Sequence, residues 1–129
     1  MKDNQNYKIL VVDDSNTNNF LIEGILKKRG YNVTSVTRGN DALKLLKKEK
    51  RDLILLDLMM PGISGFDFLN QLKSDTELAS IPVVVVSAKT GTKTEKQVLE
   101  AGAFSYVSKP LRIQNVLDVV IKALGQDKF

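Results

Sequence analysis

The chain has 129 residues, of which 43% are hydrophobic and 26% charged, and its formal net charge is +4. These values are typical of one soluble globular domain with a real core, and no apolar run approaches the length that spans a bilayer. The chain has neither cysteine nor histidine, which excludes disulfides, thiolate or imidazole metal ligands and imidazole catalysis.

Short apolar runs alternate with amphipathic segments along the whole chain. Runs of this length, rich in Val, Ile and Leu, are typical of strands that are buried on both faces. They predict five strands, at Ile9–Val12, Val33–Val36, Leu53–Leu56, Val83–Val86 and Phe104–Val107.

Each run is followed by a segment with helical spacing of its apolar residues. In the first segment, Ser15 can cap a helix and Gly30 can end it. The fourth helix, roughly Thr94 to Ala101, is the weakest, because few of its residues can be buried. The predicted apolar faces, in chain order, are Leu21, Ile22, Ile25 and Leu26; Leu43 and Leu46; Phe68, Leu69 and Leu72; Val98, Leu99 and Ala101; and Ile113, Val116, Leu117, Val120 and Leu124.

Five strand–helix units in succession predict an α/β fold, with a parallel sheet covered by helices on both faces and right-handed crossovers. Ligands of such sheets bind beyond the carboxyl ends of the strands, where the strand order reverses. The polar residues that follow each strand are therefore the candidates for a functional site.

The cations of the chain do not indicate a nucleic-acid surface. Many stand where helices should end, and there they complement the helix dipole and keep the surface soluble. No aromatic residues are interleaved with them as stacking platforms. We therefore predict no direct nucleic-acid binding by this set, which is Lys27, Lys28, Arg29, Lys47, Lys48, Lys50 and Arg51.

Four of the five predicted strands end in a residue with useful chemistry. The first ends in Asp13 and Asp14, the third in Asp57 and the fourth in Ser87, and Lys109 follows the fifth. Any one of them taken alone is better explained as an ordinary polar loop residue. Together they are chemically complementary, and parallel strands bring them to one edge of the sheet.

Three clustered carboxylates repel one another, so the cluster is poorly explained by stability alone. Mg²⁺ prefers oxygen ligands of this kind and completes its coordination with water and phosphate oxygens. Lys109 adds a positive charge suited to an oxyanion, and Ser87 can donate a hydrogen bond to the same group. A carboxylate, Mg²⁺, an ammonium and a hydroxyl are the parts needed to accept and hold a phosphoryl group.

With these motifs the sequence resembles the receiver domain of two-component response regulators, and is similar to chemotaxis-type single-domain receivers. The resemblance rests on the acidic pair, on "DLMMPGISG" after the third strand, on Ser87-Ala88 after the fourth and on Lys109-Pro110 after the fifth. It covers about Lys8 to Leu124. It implies a flavodoxin-like (βα)5 fold with strand order 2-1-3-4-5, in a single receiver domain over residues 1–129.

The resemblance also implies a role for each site residue. Asp57 would be the phosphoacceptor, and Asp14, Asp57 and the backbone carbonyl of Met59 would bind Mg²⁺, with Asp13 orienting a metal-bound water. Lys109 would pair with the phosphoryl oxygens, before a cis Lys109–Pro110 peptide. Ser87 would move toward the phosphate and Tyr106 would rotate inward, although a half-buried strand aromatic is the simpler interpretation of Tyr106 on its own. Pro61, Gly62 and Gly65 would shape the loop beside the acceptor.

Two positions depart from the commonest pattern of the family. Met59 cannot hydrogen-bond water as a polar residue might, and Lys89 places a cation near the site entrance. Our hypothesis is that Met59 hinders an attacking water, so that Met59→Asn would dephosphorylate faster than the wild type.

The implied function is a phosphorylation-dependent switch in a two-component system or phosphorelay. The donor would be a histidine kinase or a histidine phosphotransfer protein, since this chain has no histidine. The target would be an unknown protein effector, reached through a surface around the fourth helix, fifth strand and fifth helix. We expect a cytoplasmic protein without membrane contact, either free-standing or one domain of a longer regulator, that catalyses only its own phosphorylation and dephosphorylation.

Two alternatives from other classes stay open. One is a receiver-like interaction module that is never phosphorylated, although such modules usually lack part of the acidic set. The other is a phosphatase that works through an aspartyl phosphate, similar to haloacid-dehalogenase-like enzymes. Those enzymes typically carry a second Asp two residues after the nucleophile, where this chain has Met59.

Overall fold

The computed structural model describes residues 4–58, 64–87, 92–109 and 112–126. A short 3-10 helix over Asn4–Asn6 precedes five alternating strands and helices. These are β1 (Lys8–Val12), α1 (Asn16–Lys28), β2 (Asn32–Val36), α2 (Gly39–Lys48), β3 (Leu53–Asp57), α3 (Gly65–Ser74), β4 (Val83–Ser87), α4 (Thr92–Glu100), β5 (Ser105–Ser108) and α5 (Ile113–Ala123).

The five strands form one parallel sheet in the order β2-β1-β3-β4-β5, which confirms the predicted fold. Successive residues of the central strands face opposite sides of this sheet. Leu10, Ile54 and Val83 belong to a core cluster with residues of α2, α3 and α4. Their neighbours Ile9 and Leu53 belong to a second cluster, with residues of α1 and α5.

The ends of α1 follow the predicted chemistry. The Ser15 side chain accepts a hydrogen bond from the Asn18 backbone N–H and so caps the helix. Gly30, just beyond the last turn, has a φ of +88°, a conformation that glycine adopts without the steric cost paid by other residues. The helix therefore starts directly after the acidic pair and returns the chain to β2.

Several residues on the predicted apolar faces are exposed. Leu21 and Ile113 are 57% and 62% exposed, and together with Phe20 they line an open apolar groove between α1 and α5. In α4, Val98 is fully buried but Leu99 is 43% exposed. Phe104, predicted to start the fifth strand, precedes β5 and is 48% exposed.

Arg51 also differs from the prediction. It was grouped with the solvated cations, but it is 4% exposed and its guanidinium lies 3.5 Å from a carboxylate oxygen of Glu49. The reason is its place beside the amino end of β3, where the chain enters the sheet. None of the helices in the described ranges is both long and apolar enough to cross a bilayer.

Candidate functional site

The three carboxylates of the candidate site come from the loop after β1 and from the end of β3. Because β1 and β3 are paired in register, with Val12 opposite Leu56, their carboxyl ends lie side by side. One carboxylate oxygen from each of Asp13, Asp14 and Asp57 lies within 4.8 Å of the others. The strand ends therefore bring the acidic set together, as expected for residues at one edge of a parallel sheet.

The three carboxylates differ in exposure. Asp13 and Asp57 are 2% and 5% exposed, whereas Asp14 faces solvent. Ionised carboxylates are costly to bury unless they are paired or hydrogen-bonded. Two like charges at this depth therefore require compensation from neighbouring groups or from a cation.

Lys109 supplies part of that compensation. Its Nζ lies 3.2 Å from Asp13 Oδ2 and 3.6 Å from Asp57 Oδ2, and its side chain is largely buried. The backbone N–H of Lys109 donates to the Ser87 carbonyl at 2.9 Å, which ties the end of β5 to the end of β4. Among the described residues, one ammonium thus faces three carboxylates.

Asp13 is further held by the start of α1. Its Oδ1 accepts a hydrogen bond from the Ser15 backbone N–H at 2.9 Å, and its Oδ2 lies 3.4 Å from the Asn18 amide nitrogen. Its backbone carbonyl accepts from the side-chain amide of Asn19 at 2.9 Å. Asn18 and Asn19 were not singled out from the sequence, although they stand five and six residues after the predicted Asp13.

The other predicted residues lie nearby or outside the described part of the chain. Ser87 is fully buried at the carboxyl end of β4, one residue beyond the partner of Asp57 in the sheet. Tyr106 is half-buried in β5 and packs against the α2–α3–α4 core cluster. The predictions for Met59, Pro61, Gly62, Lys89 and the Lys109–Pro110 peptide involve residues outside the described ranges.

Gly65 brings the first turn of α3 against the chain just after Asp57. Its N–H donates to the Leu58 carbonyl at 3.1 Å, and a Cβ at this position would lie 2.6 Å from the Leu58 Cα. Real Cβ atoms are not found so close to backbone, so the approach requires glycine. The close approach of α3 to Leu58 thus gives a steric reason for glycine at position 65.

The chemistry of the donor set fits a hard divalent cation. Carboxylate oxygens are the ligands that Mg²⁺ prefers, and Mg²⁺ commonly takes one or two of them and leaves its remaining positions to water and substrate phosphate. Asp14 is exposed to solvent, so that at least one carboxylate of the set is accessible to an ion from solution. Lys109 lies where it can neutralise an oxyanion that reaches the same carboxylates.

Comparisons with known proteins agree with this architecture. The profile of the response regulator receiver domain family matches residues 9–121. Protein PilH of Pseudomonas aeruginosa is 34% identical over 118 residues, which cover 92% of this chain and 98% of PilH. The polar-differentiation response regulator DivK of Brucella anthropi is 31% identical over 117 residues, 91% of this chain and 95% of DivK.

Solved structures give the same picture. The chemotaxis protein CheY4 of Vibrio cholerae superposes with a TM-score of 0.87 at 25% identity, over 92% of this chain and 98% of that structure. A putative response regulator from Chloroflexus aurantiacus superposes with a TM-score of 0.88 at 27% identity, over 93% and 98% of the two chains. The likeness extends over nearly the full length of each protein.

Proposed function

The chain belongs to the response regulator receiver family, whose members are phosphorylation-dependent switches of two-component signalling, and we propose that it receives its phosphoryl group on Asp57. The observation that carries the proposal is the position of Lys109 Nζ. It lies 3.2 and 3.6 Å from carboxylate oxygens of Asp13 and Asp57, within the acidic cluster. An ammonium at this point can face the oxygens of a phosphoryl group bound to Asp57.

The proposed reaction is a transfer between two side chains. A carboxylate oxygen of Asp57 attacks the phosphorus of a phosphohistidine on the donor protein. The new P–O bond forms as the P–N bond breaks, and the donor imidazole leaves with the electron pair of that bond. Asp57 is suited to attack because its carboxylate ends a strand whose backbone is fixed by pairing on both sides.

The remaining residues would hold the transferred group. Asp14 and Asp57 would bind Mg²⁺, together with the carbonyl of Met59 that the family resemblance implies, and Asp13 would orient a metal-bound water. When bound, Mg²⁺ would offset the negative charge on the phosphoryl oxygens during transfer. Lys109 would pair with one of these oxygens, and the Ser87 hydroxyl would donate to another.

The phosphoryl group would add roughly one and a half to two negative charges at the carboxyl edge of the sheet. We propose that Ser87 and Tyr106 respond, and that the response reaches a surface formed by α4, β5 and α5. Among the described side chains of α4, Thr94 and Val98 are the buried ones. Because so few of its side chains are buried, few contacts oppose a shift of this helix. The surface would then bind or release a protein effector.

The partner classes follow from the same chemistry. The donor would be a histidine kinase or a histidine phosphotransfer protein, because the chain itself has no histidine. The protein would turn over no other substrate, and would catalyse only its own phosphorylation and dephosphorylation. A cytoplasmic location, and the absence of direct nucleic-acid and membrane contacts, stay predictions.

A small phosphodonor tests this function without the natural partner. Purified protein is treated with acetyl phosphate, with Mg²⁺ or with EDTA, and its intact mass is followed over time. We expect a Mg²⁺-dependent mass increase of one phosphoryl group, which is lost in Asp57→Asn. Asp52→Asn is the matched control, since Asp52 lies at the opposite end of β3 and Asn can still accept the Lys8 backbone hydrogen bond.

The outcome separates the three classes of function. A stable modification at Asp57 supports a switch. Sustained release of phosphate in excess of protein indicates the phosphatase alternative. A lack of any response, in protein that is folded by circular dichroism, indicates an interaction module that is never phosphorylated.

A further inference from the structure

Asn19 is a polar residue on the buried face of α1. The buried residues of this helix are Asn19, Ile22 and Leu26, which follow the i, i+3, i+7 spacing of a core-facing stripe. Asn19 is 4% exposed, as deeply placed as its aliphatic neighbours. An amide in such a stripe is costly unless its hydrogen bonds are made, so its contacts should explain why it is there.

The Asn19 amide bridges the ends of two strands. Its Nδ2 donates to the Asp13 carbonyl at 2.9 Å, and the same nitrogen lies 3.4 Å from the Val36 carbonyl at the end of β2. The Val36 carbonyl also accepts from the Asp13 backbone N–H at 3.2 Å. The amide thus completes a small network that fixes Asp13 on both sides of its Cα.

The Asp13 carbonyl belongs to the peptide group that joins Asp13 to Asp14. A change in the ψ of Asp13 that is not compensated at Asp14 would turn this carbonyl and would also turn the Asp14 side chain relative to Asp57 and Lys109. The Asn19 amide opposes that rotation, because the carbonyl oxygen would have to leave its hydrogen bond. Asn19 therefore acts on the acidic pair through the backbone, without touching either carboxylate.

Stability alone does not account for an amide at this position. Within the described residues, Asn19 Oδ1 is buried and has no hydrogen-bond partner. A buried unsatisfied polar atom costs roughly 1–3 kcal/mol. An aliphatic residue of similar volume would avoid that unsatisfied oxygen, but it could not hold the Asp13 carbonyl.

We propose that Asn19 is a positioning residue that fixes the peptide between Asp13 and Asp14 and so sets the geometry of the metal-binding carboxylates. The proposal rests on the proposed function, since it concerns the same Mg²⁺ site. Residues that orient metal ligands from behind typically change metal affinity about 10- to 100-fold when they are replaced. We expect an effect at the lower end of this range, because Asn19 acts on backbone rather than directly on a ligand atom.

The test compares Asn19→Leu with Ile22→Ala. Leucine matches the shape of the amide without its hydrogen-bonding groups, and Ile22 is buried on the same stripe one turn further along. Mg²⁺ affinity of each folded variant is measured by isothermal titration calorimetry, and unfolding free energy by urea denaturation. We expect Asn19→Leu to raise the Mg²⁺ Kd about tenfold, and Ile22→Ala to lower stability while leaving this Kd within about twofold of wild type.

Each outcome bears on a different claim. If the wild-type protein binds no Mg²⁺, both the metal site and the proposed function are overturned. Unchanged affinity in Asn19→Leu, or an equal loss in Ile22→Ala, would overturn the positioning role while the metal site stands. If Asn19→Leu does not fold, Asn19→Ala takes its place, and a Kd within twofold of wild type overturns the proposal in the same way.

Discussion

The two ends of the sheet differ in how their charged side chains are paired. At the amino end, Glu49 is paired with Lys8 and with the buried Arg51, and the Asp52 carboxylate accepts the Lys8 backbone N–H at 2.7 Å. At the carboxyl end, three carboxylates lie within 4.8 Å of one another, and the ammonium of Lys109 is the cation paired with them among the described residues. Within the described residues, the carboxylates at the amino end are matched by cations, whereas those at the carboxyl end outnumber the one ammonium paired with them.

The difference separates charges that are paired in the folded chain from charges that we propose bind a cation. Pairs such as Lys8–Glu49 form when the chain folds and need no partner from solution. Because these pairs are exposed, each adds little to the stability of the fold. The acidic edge would be a poor device for stability, but it is suited to a cation that arrives from solution. Changes at the two ends should therefore have separable effects on phosphorylation and on folding.

The largest effect is expected from Lys109→Met. Loss of the ammonium beside Asp13 and Asp57 removes the charge that would face the phosphoryl oxygens. Loss of one such preorganised group typically slows a reaction about 10²- to 10³-fold. We expect a decrease of this size in the rate of labelling by acetyl phosphate, measured by intact mass, while Lys8→Met at the amino end keeps the wild-type rate. A Lys109→Met rate within threefold of wild type would contradict the charge assignment.

The next effect concerns Mg²⁺ and folding. A ligand that binds only the folded state at about one hundred times its Kd stabilises that state by about 2.7 kcal/mol. We expect Mg²⁺ to raise the unfolding free energy of the wild type by about this amount, and to raise that of Asp14→Asn much less. Urea denaturation with and without Mg²⁺ measures both. Equal stabilisation of the two proteins would mean that the ion binds somewhere other than the acidic edge.

Two glycine substitutions test how closely the backbone beside Asp57 is packed, compared with the backbone in the middle of α1. A Cβ on Gly65 would lie 2.6 Å from Leu58 Cα, next to Asp57, so Gly65→Ala should destabilise the protein by about 1–3 kcal/mol. A Cβ on Gly24, in the middle of α1, meets nothing within 4 Å, and Gly24→Ala should stabilise by about 0.4–1 kcal/mol. Urea denaturation gives both values. A Gly65→Ala protein as stable as the wild type would show that packing against Leu58 is not what requires Gly65.

The smallest effect is a pH dependence at the amino end. Burial raises the pKa of Tyr31 above its ordinary value of 10.0, and the nearby Tyr7 acts in the same direction. Because the folded pKa exceeds the unfolded one, this stabilising effect is complete below about pH 10 and is lost as pH rises through the folded value. We expect Tyr31→Phe to flatten the alkaline decline of unfolding free energy between pH 9 and 11, at the cost of the hydrogen bond to Gln126. An unchanged slope would assign the decline to other groups.

Much of the site followed from where the apolar runs stop. The parallel fold was predicted from the alternation of strands and helices, and that fold placed Asp13, Asp14, Asp57 and Lys109 at one edge. The burial of Arg51 could not be predicted in this way. A cation that follows a helix has the same local sequence whether it is exposed to solvent or buried and paired beside the amino end of β3. Its position depends on Glu49 and on the entry to β3.

The inner face of α1 shows a second limit. Phe20, Leu21 and Ile22 are consecutive, so the apolar arc is wider than the arc that the sheet covers, and spacing alone did not exclude Leu21 from the core. The same spacing places a polar residue on the buried face of the helix, because Asn19 stands three residues before Ile22. A polar residue at such a position indicates a buried hydrogen-bond network.

The site is assembled from residues that are far apart along the chain, since Asp13 and Lys109 are separated by 96 positions. A ribosome therefore delivers the acidic pair long before the lysine that completes the cluster. Until β5 has joined the sheet, a nascent chain has the carboxylates without the Lys109 ammonium that pairs with Asp13 and Asp57 in the folded protein. Newly made protein should therefore not accept a phosphoryl group efficiently until translation has passed β5 and this strand has joined the sheet.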